Sequence, residues 1–334
     1  TMALLRVTTP DQLAAFCTMA GAPSLPAGSP AMRQADAHWL ALDHRGAPSA
    51  RCSLWWTYAP PYLHHRTGCI GHFAANDRQA AAALLAQACT ELAAAGCTMA
   101  VGPLDGNTFR AYRFVTRRSL EGPAHPPFFL EPDNPDAWPA DFAAAGFTPL
   151  AGYYSAIAPL DGPDPRLEAL AAPLAGQEIT VRALAPERFD AELARLYDLV
   201  MVSFQRALLF APISREEFMA QYTPLRALLI PQLVLLAEQA GRLVGFLLAL
   251  PDLAQTQRGE PVDTVILKTV AVLPERRNAG LASALVALAQ EEARRLGFRR
   301  AIHALMQAGN ISRKISAHYA RPMRQYTLFA KPLP

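Results

Sequence analysis

The segment from Asp263 to Arg295 constrains what this chain can fold into more than any other. Asp263 to Val272 is apolar and β-branched and reads as a strand, and Pro274 stops it because proline cannot donate to a sheet ladder. The turn Arg277-Asn278-Ala279-Gly280-Leu281-Ala282 then runs into an alanine-rich helix, Ala282 to Arg295, closed by Gly297. A strand that hands over to a helix in this way belongs to an α/β architecture. The turn presents successive backbone N–H groups at the positive end of a helix, which makes an anion cradle. Gly280 lets the backbone approach a bulky ligand, Ala282 keeps the helix start uncrowded, and Arg277 adds a charge-assisted hydrogen bond.

The chain of 334 residues is long enough for two cores, and one order of elements runs through it twice. In the first half Leu4 to Val7 reads as a strand, and Thr9 with Asp11 caps a helix through Phe16 and Met19. His38 to Leu42 and Ala50 to Thr57 pair as a hairpin, and Gly68 to Phe73 is a further strand. A helix follows from the cap at Asn76 or Asp77 to Gly96, and then the strand Thr98 to Val101. In the second half Ile179 to Arg182 is a strand, and Pro186 to Phe204 and Ser214 to Tyr222 are helical. Leu233 to Ala237 and Leu243 to Leu250 form a hairpin, and Thr264 to Val272, the helix after it and the strand Arg300 to Leu305 complete the set. These readings predict two domains, 1–160 and 179–334, joined by a Pro, Gly and acid rich linker, 161–178.

Among anion cradles the spacing discriminates. Neither G-x-x-x-x-G-K followed by Ser or Thr nor G-x-G-x-x-G is present. The pattern from Val272 through Pro274, Arg277 and Gly280 to Ala282 instead resembles the pyrophosphate motif Q/R-x-x-G-x-G/A of the GCN5-related N-acetyltransferase (GNAT) superfamily. The strand before it, the helix after it, the next strand and Asn310 all come in that family's order. Residues 179–334 carry the motif, whereas 1–160 match by element order only: the strand there leads into "AANDRQAAAA", with neither a glycine nor an arginine ahead of one. "DFAAAGF" resembles the family's Y-x-x-x-G-F ending with Phe142 at the tyrosine position.

The resemblance implies an α/β (α+β) fold of two GNAT-like domains, each a mixed, mostly antiparallel central sheet flanked by helices. The first would be a degenerate copy without a CoA loop, and the second would bind acetyl-CoA or another acyl-CoA. In that family the strand before the loop splays from its neighbour, which assigns the backbone of Val270 and Val272 to the pantetheine and acyl oxygen. It assigns Arg277, Asn278, Ala279, Gly280, Leu281 and Ala282 to the pyrophosphate, with Asn310 on the pantetheine.

The proton-transfer candidates are Lys268, which stands where many family members carry glutamate, together with His303 and Tyr319. Lys268 reads equally as a substrate-carboxylate ligand or a surface charge, His303 as a core or cleft-wall histidine and Tyr319 as a ring half-buried against the sheet. The segment "GPLDGNTFRAYRFV" mixes Asp105, Asn107, Arg110, Tyr112 and Arg113, and is either a substrate-binding cleft wall or an interdomain packing loop.

Composition adds exclusions. A net charge of +3 and a pI near 8.6 are too mild to point to nucleic acid. Cys17, Cys52, Cys69, Cys89 and Cys97 show no C-x-x-C, and the adjacent His64 and His65 are not spaced for one metal ion, so buried free thiols and no metal are expected. No window has the roughly 18 apolar residues a membrane span needs, and the expectation is a cytoplasmic protein, monomer or homodimer. The function expected is direct N-acyl transfer, probed with acetyl-CoA, to a small-molecule or peptide amine bound between the domains. Two alternatives stand beside it: a catalytically silent CoA-binding regulatory or scaffold protein, and an aminoacyl transferase that draws on charged tRNA.

Overall fold

A computed structural model describes residues 2–275, 278–309 and 311–334. The first half holds β1 (Ala3–Arg6), α1 (Pro10–Cys17), α2 (Pro30–Gln34), β2 (Ala37–Leu42), β3 (Pro48–Trp55) and β4 (Thr67–Ala75). It continues with α3 (Arg78–Ala94), β5 (Met99–Gly102), β6 (Phe114–Arg117), α4 (Ala137–Ala144) and β7 (Thr148–Pro159). The second half holds α5 (Leu167–Gly176), β8 (Ile179–Ala183), α6 (Phe189–Ser203), α7 (Arg215–Tyr222), β9 (Val234–Gln239) and β10 (Arg242–Pro251). It ends with α8 (Ala254–Gln257), β11 (Thr264–Val272), α9 (Leu281–Arg295), β12 (Arg300–Gln307), α10 (Ile311–Ser316) and β13 (Arg321–Pro332).

The first helix starts as its sequence dictates: Thr9 and Gln12 form a reciprocal capping box, with Pro10 in the first turn. At α3 the Asp77 carboxylate accepts from the Ala80 N–H, and a run of alanines lets the helix lie close over the sheet. The segment expected as a bare linker contains α5. Its apolar residues Leu167, Leu170, Ala171 and Leu174 recur at helical spacing, and Leu174 packs into the second core beside Ile179.

Among the described residues the strands form one sheet in the order β1-β2-β3-β4-β5-β13-β7-β12-β11-β10-β9-β8, with β6 paired to β13. Each half contributes a mostly antiparallel set with one parallel pair, β4 with β5 and β11 with β12. The centre of the sheet does not follow chain order. β13, the last strand, lies between β5 and β7, and β7 lies against β12. Each half therefore closes its sheet with a strand from the other.

The seam is packed and hydrogen bonded. Tyr326 and Leu328 of β13 are fully buried, and Phe329 joins the first core with Phe73, Phe114, Trp138 and Phe142. Phe142 meets Phe147 with ring centroids 4.9 Å apart, so the residue that fills the family's tyrosine position is a core aromatic here. Across the seam Ser155 Oγ lies 3.0 Å from the Tyr326 hydroxyl, and that hydroxyl donates to Glu131. Glu131 also pairs with Arg324 at 3.1 Å, where both side chains are buried.

A fragment of residues 179–334 alone leaves β13 without β5 and β7, and β12 without β7. Exposing Tyr326, Leu328 and Phe329 forfeits about 1.5–3 kcal/mol each, a large part of a total stability of roughly 5–15 kcal/mol. The fragment is expected to be insoluble or unfolded by circular dichroism, while the full chain folds. A soluble, cooperatively melting fragment would contradict the exchange.

Candidate functional site

The second half opens where β11 and β12 part. They pair from Thr264–Arg300 to Leu267–His303 and no further, although β11 runs on to Val272 and β12 to Gln307. A bulge bends β12 away at this point: its register against β7 shifts between His303 and Met306, Leu305 has φ +55°, and the Leu305 N–H donates to Ser155 Oγ at 3.1 Å. Beyond the split β11 has only β10 as a neighbour. The Leu273 N–H donates to the Val244 carbonyl, so Leu273 and Ala271 face β10, and by antiparallel alternation Val272 and Val270 turn their backbone groups into the gap.

The helix α9 begins at the mouth of that gap. Gly280 is its N-cap at φ +84°, a left-handed conformation that favours glycine, and a Cβ built there meets nothing within 4 Å. Ala279 and Gly280 are exposed, whereas Leu281 is buried and anchors the helix beside Gly245, whose missing side chain leaves room for it. The first turn of the helix thus points its N–H groups at open space. Asn278 differs from expectation. Its N–H donates to the Glu275 carbonyl and its buried side-chain amide to the Leu273 carbonyl, so it closes the turn rather than facing a ligand. Arg277 and Asn310 lie outside the described residues.

Two cavities meet in the gap. One of about 660 Å³ is lined by Ser203, Arg206, Val270, Val272, Ala282 and Gly309. The other, about 620 Å³, shares Phe204, Val270 and Gln307 with it and reaches under the first half, where Tyr112, Arg113, Glu131 and Tyr153 form its far wall. Lys268 and His303 also line it, so the fold brings both to the cavity. Lys268 is half-buried and, among the described residues, has no hydrogen bond or ion pair. Burial first, and the Arg113 charge second, hold its pKa below the usual lysine value.

The other two nominated groups are held by hydrogen bonds within the protein. His303 is buried, with Nδ1 2.9 Å from Ser316 Oγ and Nε2 2.9 Å from Gln290 Oε1, and burial lowers its pKa to about 4. It is a neutral structural histidine. Tyr319 lies outside both cavities, its hydroxyl donating to Asp164 at 2.7 Å and Arg166 stacked on its ring. Burial and the Asp164 carboxylate raise its pKa.

The 105–113 loop divides. Arg110 makes a two-pronged ion pair with Glu217 of α7 at 2.8 and 3.1 Å, and Asn107 donates to the Ala211 carbonyl, so both dock the first half on the second. Asp105 points into the first half. It accepts from the His72 N–H at 2.7 Å, just past the last β4–β5 pair, Cys69–Val101. Asp105, Asn107 and Arg110, expected at the substrate, are thus engaged with the protein itself; of the four, Arg110 and Tyr112 line the cavity, with Tyr112 hydrogen bonded to Tyr153. Arg113, named with this loop from the sequence, also lines the cavity, and Glu131, which spacing gave no reason to select, is the group the fold adds.

The first half has the same split between β4 and β5, but it is filled. A Cβ at Gly71 would meet the Leu104 carbonyl at 2.5 Å and Asp105 Oδ1 at 2.4 Å, and Gly106 abuts the Trp55 ring. At its helix, α3, the Asp77 carboxylate holds the N-terminus that Gly280 leaves open in the second half.

Two α/β units with strands exchanged across one sheet, one open at its split and one filled, define a tandem GNAT fold. Residues 193–314 match the model of the acetyltransferase (GNAT) family, which places the second unit in that family. The whole chain superposes on a GCN5-related N-acetyltransferase from Sphaerobacter thermophilus with a TM-score of 0.51 at 15% identity, over 98% of this chain and 95% of that one. A tandem GNAT protein from the clavulanic acid biosynthesis pathway gives 0.53 at 14% identity, over 99% and 98%. A probable N-acyltransferase from Enterococcus faecalis gives 0.58 at 10%, over 100% and 73%. These likenesses carry the fold. Comparison with curated proteins returned no match.

His303 titrates near 6.5 when exposed and about 4 in the fold, so the neutral form is the one that folds. Its contribution to stability is complete above the unfolded value and is lost as pH falls through the folded one; at pH 5 the difference is on the order of 2 kcal/mol. Urea unfolding of wild type at pH 7 and pH 5 should show this loss, and His303→Gln should shrink the difference. An unchanged pH dependence in the variant would contradict the assignment.

Proposed function

We propose that the chain is an acyl-CoA-dependent N-acyltransferase, with acetyl-CoA as donor, which transfers the acyl group directly to an amine in a ternary complex. One observation supports it above the others: the β11–β12 split opens between the exposed start of α9 and a cavity walled by both units. Its shape fits the donor. The amides from Ala279 to Ala282 would hold the diphosphate, with Arg277 and Asn310 added by resemblance, and the free backbone groups of Val270 and Val272 would hold the pantetheine arm. When bound, the donor supplies a thioester carbonyl at the inner end of the gap.

The chain's part is to present a neutral amine there. Lys268 stands on β11 where many family members carry glutamate, and its lowered pKa makes it the proton acceptor for the incoming ammonium. The unit formed by the first half shapes the acceptor wall, and the buried free thiols suit a cytoplasmic setting. The engaged hydroxyl of Tyr319 favours one second reading, a CoA-binding scaffold without turnover.

Thiol release from acetyl-CoA against an amine panel tests the reading; a folded sample that does not bind acetyl-CoA would overturn it. Lys268→Met is expected to lower kcat by about 10²-fold or more with CoA affinity kept. In wild type the rate should rise with pH through a midpoint below the ordinary lysine value. Gly280→Glu should abolish CoA binding, because its carboxylate enters the phosphate position, at a cost of about 1–3 kcal/mol for the left-handed backbone. Calorimetry with CoA reads both; retained affinity would mean the loop is misassigned.

A further inference from the structure

Among the described residues Arg113 is a cavity-lining cation with no ion pair. It follows the packing loop of the first half and sits in the corner between two rings, its guanidinium carbon 4.0 Å from the Tyr112 centroid and 4.5 Å from that of Tyr153. Those rings meet edge to face at 5.8 Å, so both are fixed. Rings that cover the faces of a guanidinium stabilise its charge but leave its in-plane N–H edge free. Arg113 Nε is buried with no hydrogen-bond partner, and among the described residues the Arg113 side chain makes no ion pair or hydrogen bond. A buried donor without a partner costs about 1–3 kcal/mol, and the backbone that delivers it is itself strained, at φ +66°.

The carboxylates nearby do not answer this charge. Glu131, on the same wall, is held by Arg324 and Tyr326, and Glu217 by Arg110. The neighbouring basic group is Lys268, which lines the same cavity. Much of the lining from the second unit is apolar, including Phe189, Leu193, Phe218 and Phe246, with Thr269, Gln307 and Ser312 among its polar groups.

Resting on the acyltransfer reading above, we infer that the acceptor is an amino carboxylate with an apolar body, whose carboxylate is held by the Arg113 edge and whose amine is thereby set at Lys268. A planar carboxylate matches the guanidinium fork, accepts the unpaired Nε–H and neutralises the guanidinium charge. The first unit, which has filled its own split, thus supplies the residue that selects the acceptor.

The test separates this inference from the acyltransfer reading. Calorimetry with CoA alone on wild type and Arg113→Gln should give equal affinities; loss of CoA binding in wild type would defeat the acyltransferase reading and leave the anchor to be judged by the next measurement. Without CoA, thermal shifts are recorded with the twenty amino acids, with 3-phenylpropanoate and with the matching carboxamides. Acids with apolar bodies should stabilise wild type, their amides should not, and Arg113→Gln should lose the effect. In turnover with acetyl-CoA, Arg113→Gln should raise KM for the preferred acid by about tenfold to a hundredfold, the worth of hydrogen bonds to a charged group, with kcat within about threefold. Arg113→Lys keeps the charge but not the fork and should fall between; it carries the test if the glutamine variant does not fold. Acids and amides acting alike, no carboxylate binding at all, or an unchanged KM in both variants would overturn the inference.

Discussion

The pairing of β7 with β13 holds this molecule together. Each strand is the last sheet element of its half, and each completes the other half's sheet, so neither unit can close its core alone. Backbone hydrogen bonds supply the regularity, and the chain from Leu305 through Ser155 and Tyr326 to Glu131 ties three adjacent strands at the point where the sheet must bend. Buried polar groups linked in this way fix one register, because a slip would strand each of them without a partner. The same Ser155 that joins the halves also receives the bulged Leu305 amide, so the seam and the opening of the β11–β12 gap are one construction.

The two units show how one architecture is kept open or shut. Both have a parallel pair that ends early and a helix that starts at the gap. In the second unit Gly280 leaves the helix start clear. In the first, Asp77 caps the helix with its own carboxylate and Leu104 and Asp105 occupy the gap, so the anion-binding geometry is satisfied from within the chain. What the first unit offers instead is the wall of the shared cavity, docked through Arg110 and Glu217 and ending in Arg113.

Much of the second unit was legible because its signals are local. The strand before Pro274, the turn at Gly280 and the helix after it follow from periodicity and from the chemistry of proline and glycine, which act over a few residues. The hairpins and the Asp77 cap are of the same kind. The helix within 161–178 carried its own spacing, at Leu167, Leu170 and Leu174, but flanking prolines and glycines hid it. The candidate site was legible only in part: backbone roles at Val270 and Gly280 follow from position along the chain, whereas the fates of His303, Tyr319, Asp105 and Arg110 depend on Gln290, Asp164, His72 and Glu217, partners that sequence distance conceals.

The sequence by itself determined a duplicated α/β order and one open helix start, since turn chemistry and hydrophobic period act between neighbours. Only the tertiary structure decided that the halves exchange their final strands, that Asp105, Asn107 and Arg110 bond within the protein, and that Arg113 is left unpaired facing Lys268. The physical reason is that strand pairing and charge compensation are long-range: they join residues far apart in the chain, and which donor meets which acceptor is set by the closed sheet.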